Sequence, residues 1–231
     1  MPPRALEPAG VALVDKPSGP SSFAVVAQIR RATGARTGHA GTLDPFATGL
    51  LLLLSGRATK LAPRLVGLDK RYVTEIDLTC RTSTGDPEGE IVECHAPPGE
   101  AELEERLERL RGEIELPIPV ASAVKIGGER AYKLARRGIE VDMPVRRSTV
   151  HALDVVAVTG ETVTLDLRVS SGTYVRALAT ALGGHCVSLR RTEVGPFSVG
   201  DAVAPEAFVA DRLLTETDVL ERVGAARAQS A

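Results

Sequence analysis

Gly38-His39-Ala40-Gly41-Thr42-Leu43-Asp44-Pro45 is the stretch on which the reading of the fold turns. Two glycines permit tight backbone turns. Pro45 pushes Asp44 away from helical geometry, so its carboxylate projects from a loop of fixed shape. Taken alone, an Asp-Pro pair reads first as a turn or capping aspartate. His39 alone fits a surface or core-edge histidine. A His/Asp metal site lacks a third ligand at a suggestive spacing.

On the N-terminal side, residues 11–14 (VALV) read as a short buried strand that ends in the turn-rich DKPSGP. Ser21 or Ser22 caps a helix that runs to about Thr33, with Val25, Val26 and Ile29 on its buried stripe. Residues 34–49 form a long loop. On the C-terminal side, residues 50–54 are a core strand and residues 58–65 a helix. Residues 71–80 alternate, with Tyr72, Thr74, Ile76 and Leu78 on one face, which predicts a half-buried strand. Leu103, Leu107 and Leu110 fall at helical spacing in a charged helix over residues 100–111. A short helix over residues 130–137 stops at Gly138. Residues 150–158 and 162–169 pair as a hairpin, residues 173–182 are helical, and a last strand lies near residues 194–199. Strands and helices mix without βαβ alternation. That predicts an α+β fold with a mixed, largely antiparallel sheet, a central cleft and flanking helices.

The chain has 231 residues, 43% hydrophobic and 25% charged, which excludes a disordered or collagen-like protein. The longest apolar run, residues 50–54, is far too short to span a bilayer, and no membrane association is expected. The N-terminus shows no apolar signal segment. Three cysteines without a CxxC pair predict neither a disulfide scaffold nor a zinc ribbon, and a reducing cytoplasm is the expected compartment. The net charge of −2 hides an uneven distribution: net +4 over residues 1–80, −7 over 81–120, +4 over 121–195 and −3 beyond. Local fields rather than net charge steer polyanions. Of the 28 basic residues 23 are Arg, the side chain that forks onto phosphate and stacks on bases; a genome-wide preference for Arg codons gives the same bias.

Around the loop lie further motifs in a fixed order: DKPSG at 15–19, GLL at 49–51, GRATK at 56–60, KRY at 70–72, SAVK at 122–125, RAY at 130–132, GTYVR at 172–176 and LRRT at 189–192. In this order and at these separations they resemble the bacterial TruB family, the tRNA pseudouridine-55 synthases. The resemblance runs from about Gly10 to Phe197. It implies a pseudouridine synthase catalytic domain over residues 10–199. A short helical extension follows over residues 200–231, with no full C-terminal RNA-binding domain expected. It implies isomerisation of the T-loop uridine in the tRNA T-arm, without metal or organic cofactor. By motif match Asp44 is the catalytic carboxylate and Arg176 its cationic partner. Tyr72 is the stacking tyrosine, Tyr174 and Leu189 line the pocket, and His39 packs into the T-loop. The match places Lys16 and Pro17 in a motif that supports the active-site loop. Lys125, Arg130, Lys133, Arg136 and Arg137 form a basic patch for RNA phosphates.

The chemistry fits these residue types. Remaking a glycosidic bond in a duplex-like arm needs an extruded base and an ionised carboxylate in a site largely free of water. A buried carboxylate stays charged only beside a cation. Two other readings compete: a non-catalytic RNA-binding or tRNA-folding protein on the same scaffold, and a hydrolase using His39 and Asp44. The hydrolase lacks a nucleophile elbow, since Ser55-Gly56 is not part of a GxSxG motif. A monomer is expected, because no paired apolar face is evident.

Overall fold

The computed structural model describes residues 8–139 and 141–229, apart from the side chains of Arg136, Arg227 and Gln229. In chain order it begins with β1 (Gly10–Lys16), α1 (Ser22–Thr33), β2 (Thr37–His39) and β3 (Thr48–Ser55). A 3-10 turn leads to α2 (Ala62–Val66), then β4 (Lys70–Asp77), β5 (Cys80–Thr82), β6 (Ile91–Cys94) and α3 (Glu100–Glu108). There follow β7 (Gly112–Pro117), β8 (Lys125–Ile126), β9 (Glu129–Arg130), α4 (Ala131–Arg136), β10 (Val145–Val158) and β11 (Thr162–Val169). The last elements are α5 (Val175–Ala181), β12 (His185–Val194), β13 (Phe197–Ser198) and, after three short 3-10 turns, α6 (Glu216–Gln229). The fold is α+β, as the sequence predicts. No helix among the described residues is long and apolar enough to cross a membrane.

Two compact units divide the chain. One holds the residues up to Tyr72 together with those from Arg190 onward; the other holds Val73–Leu189. In the first unit β3 is the spine. Its run of five leucines is buried on both faces, as an internal strand requires. Leu50, Leu52 and Leu54 join a cluster with Val11, Leu13, Phe197, Val219 and Val223. β1 pairs antiparallel with β3 from Gly10↔Ser55 to Lys16↔Gly49, β2 pairs with it antiparallel, and the end of β12 pairs with it in parallel. Gly49 sits at that parallel contact with φ +103°, where a Cβ would lie 2.2 Å from the Arg191 carbonyl oxygen. Only glycine fits there.

The residues after Phe197 return to β1. Val11 and Leu214 exchange backbone hydrogen bonds, both 2.9 Å, and Val203 bonds to Leu13 and Asp15. The outer edge of β1 is thereby covered, which removes an open pairing edge.

In the second unit β10 is the long strand. Its first half pairs with β7 and its second half with β11, both antiparallel. β11 buries Val163, Leu165, Leu167 and Val169 in strict alternation. The acidic helix α3 buries Leu103 and Leu107, as its spacing predicts.

The structure corrects the cysteine reading. Cys80 and Cys94 face one another across β5 and β6 and are joined as a disulfide. Spacing misses this pair because the two half-cystines meet only when the hairpin closes. Cys186 is buried outside the bond.

Candidate active site

The Asp44 loop is fixed from three directions within the first unit. The first brace is Lys16, at the end of β1 and 0% exposed. Its ammonium donates to the carbonyls of Pro45 (3.0 Å), Ala47 (2.7 Å) and Pro17 (2.9 Å). A buried ammonium is tolerated only when its protons are satisfied in this way. Three main-chain carbonyls therefore converge on one cation, and the backbone on the C-terminal side of Asp44 closes around it.

The second brace is Ser22. The sequence leaves Ser21 and Ser22 as alternative caps, and the structure divides two tasks between them. Ser21 caps α1 by accepting from the Ala24 amide at 3.2 Å. Ser22, buried, donates to the Leu43 carbonyl at 2.8 Å and accepts from the Leu43 amide at 2.9 Å. Both backbone groups of the residue before Asp44 are thus held by one hydroxyl.

The third brace is Arg191, 1% exposed and among the largest fully buried side chains. Its guanidinium donates to Leu50 (2.7 Å), Gly41 (3.1 Å) and Thr42 (3.4 Å) carbonyls. Its neighbour Arg190 forks onto Asp15, with contacts of 2.8 and 3.1 Å. The sequence groups both arginines in one motif, but nothing in it tells which faces inward. The signal is also obscured in β12, where Val187 and Ser188 are exposed in succession and the alternation slips.

His39 ends β2 beside this loop. Burial lowers its pKa below the usual histidine value, and the Arg191 charge lowers it further. Its Nδ1 is buried without a hydrogen-bond partner. Its ring meets Phe23 edge-on, with centroids 5.2 Å apart and planes at 82°. Tyr72, 7% exposed, lies in β4 at the end of the first unit. Lys70, two residues earlier, donates to the Val66 and Leu68 carbonyls. Burial, with a smaller push from Arg191, lowers its pKa to about 8.

The remaining predicted residues belong to the second unit. Arg176 lies in α5 with its side chain 3% exposed. It donates to the Thr84 carbonyl (2.7 Å) and the Ala121 carbonyl (2.9 Å) and stands 3.3 Å from the Asp86 carboxylate. Asp86 is a residue that sequence reasoning missed. It lies in the polar turn after β5, where an aspartate reads as a turn former. Tyr174, half-buried, borders a shallow depression with Leu116, Pro117 and Arg146. Leu189 is buried in β12.

The basic patch is brought together in part. A tight Gly127-Gly128 turn, both φ positive, sets Lys125 opposite Arg130 across the β8–β9 hairpin. Lys125 and Lys133 are exposed, and Arg130 is half-buried. Arg137 bonds to Glu129 at 2.8 Å, an exposed pair worth little and easily exchanged for phosphate. Arg136 belongs to α4, but its side chain lies outside the described residues.

The chain is similar over most of its length to known proteins. The family model for TruB family pseudouridylate synthase (N terminal domain) matches residues 29–175. The tRNA pseudouridine synthase B of Azoarcus sp. (strain BH72) is 42% identical over 224 residues, covering 94% of this chain and 75% of that protein. The same-named protein of Bordetella avium (strain 197N) is 43% identical over 213 residues, covering 87% of each. Among solved structures, a Cbf5-Nop10-Gar1 complex aligns with TM-score 0.65 at 27% identity over 92% of this chain and 54% of that one. An H/ACA RNP bound to a substrate RNA containing 2′-deoxyuridine aligns with TM-score 0.64 at 25% identity, over 89% and 53%. This chain spans about half the length of those two structures' chains.

Fold and loop together define a pseudouridylate synthase, an isomerase. Within that class the chain belongs to the TruB family.

Proposed function

We propose that this protein converts the T-loop uridine at position 55 of tRNA to pseudouridine, with Asp44 as the catalytic carboxylate. The observation that carries the reading is the bracing of the Asp44 loop by Lys16, Ser22 and Arg191. A binding protein gains little from fixing one aspartate-bearing loop with two buried cations. An enzyme gains accurate placement of the reacting group, which is worth orders of magnitude in rate. In the reaction the N1–C1′ bond of uridine breaks and a C5–C1′ bond forms. The hydrogen on C5 is lost to solvent and N1 takes up a proton, so the product is an isomer. Extrusion of the base precedes this chemistry, at a cost of a few kcal/mol. Tyr72 supplies a face for the extruded base, Tyr174 and Leu189 wall the pocket, and His39 packs into the opened T-loop. Arg176 keeps the site cationic for an ionised acid. Lys125, Arg130, Lys133, Arg136 and Arg137 contact phosphates, and their contribution falls with salt. As proposed, the reaction draws on no metal or cofactor. The enzyme acts as a cytoplasmic monomer.

The test uses an unmodified tRNA transcript, the purified protein and its Asp44→Asn variant. Carbodiimide labelling and primer extension locate pseudouridine. A stop in the T-loop with the unaltered protein alone is expected. RNA binding without any stop would overturn the reading in favour of a tRNA-folding protein.

A further inference from the structure

Phe23 is out of place for a core-forming residue. It is 61% exposed, more than any other aromatic residue among the described residues. A phenyl ring left largely in water forgoes much of the free energy its burial would release. The ring nevertheless sits on a braced segment. It stands in the first turn of α1, directly after Ser22, whose hydroxyl is bonded twice to Leu43. Its ring meets that of His39 edge-on at 5.2 Å.

The segment that carries it is basic. Residues 16–43 contain no Asp or Glu. Arg30 and Arg31 are exposed in the last turn of α1, and Arg36 is exposed just before β2. A fixed aromatic face followed by a track of arginines is what unpaired nucleic acid requires: stacking for a base and cations for its phosphates.

We propose that Phe23 is a stacking platform for an unpaired nucleobase of the RNA substrate, braced by His39 and flanked by Arg30, Arg31 and Arg36 as phosphate contacts. The inference rests on the RNA-modifying function proposed above and adds a residue to its recognition surface. Because Phe23 follows Ser22 in sequence, and Ser22 holds Leu43 beside Asp44, the stacked base registers the RNA against that loop.

The experiment measures binding of a T-arm hairpin RNA and pseudouridine formation for Phe23→Ala, Phe23→Leu and Phe23→Trp in the full chain. Thermal melting checks that each variant folds; an exposed side chain predicts an unchanged Tm. Phe23→Ala and Phe23→Leu are each expected to weaken Kd about tenfold, within the range for loss of one stacked base. The loss should fall on KM more than on kcat. Phe23→Trp is expected to restore binding. Arg30→Gln should lower the slope of log Kd against log salt by about one, while Phe23→Ala leaves the slope unchanged. Unchanged Kd in Phe23→Ala, or rescue by Leu as complete as by Trp, would overturn the stacking role. If the unaltered protein binds the hairpin through Phe23 but forms no pseudouridine, the proposed function fails and the stacking role stands. If it forms pseudouridine while the Phe23 variants bind normally, only the stacking role fails.

Discussion

The buried guanidinium of Arg191 donates to the carbonyl of Gly41 at 3.1 Å, three residues ahead of Asp44. The same group bonds Leu50 on β3, so one side chain ties the loop to the central strand.

Arg191→Met leaves three carbonyls without their charged donor. A stability loss of about 3 kcal/mol or more is expected by chemical denaturation. Arg191→Lys keeps the charge but not the fork. It should retain most of the stability and lose about tenfold to hundredfold in single-turnover rate, as a slightly displaced carboxylate would. The His39 pKa, followed by NMR, should rise in Arg191→Met toward the ordinary value, because a repelling charge has gone.

Asp86 and Arg176 form a buried pair with side chains 6% and 3% exposed. Breaking a buried pair by removing one charge costs about 3–5 kcal/mol. Asp86→Asn and Arg176→Met are each expected to cost this much, and the double variant less than their sum. Strict additivity in a denaturation cycle would show that the two groups do not depend on each other.

Lys70 makes stability depend on alkaline pH. Its pKa falls from 10.5 unfolded to about 8 folded. Between these values the unfolded chain binds the extra proton, so stability rises with pH. This contribution is complete above 10.5 and is lost as pH falls through about 8. Denaturation from pH 7 to 10.5 should show the rise in the unaltered protein, and Lys70→Met should flatten it.

The Cys80–Cys94 bond closes a short loop, with a sequence separation of 14. Thiol titration of the denatured protein should find one thiol before reduction and three after. Reduction should lower stability by about 3 kcal/mol, the chain-entropy value for a loop of this size. Three thiols before reduction would mean that the bond does not form in solution.

The elements that read most clearly are those whose signal is local. The five leucines of β3, the Val25–Ile29 stripe of α1 and the alternation of β4 each state their own burial. The hairpin of β10 and β11 is also legible, although β10 begins earlier, at Val145. There residues 145–149 pair with β7, a distant strand that supplies no local cue. β12 carries no clear local signal, because its alternation slips and its largest buried side chain is an arginine.

The site divides in the same way. The sequence by itself determined the family, the candidate catalytic Asp44 and the flanking motifs, because each is an ordered string of residue types. Only the tertiary structure decided that Lys16 and Arg191 turn inward, that Asp86 holds Arg176, and that Cys80 meets Cys94. The physical reason is that a charged side chain or a thiol reads the same whether it faces water or the interior. Its partners are carbonyls, carboxylates and sulfurs that are remote in sequence, and they converge only when the strands pair.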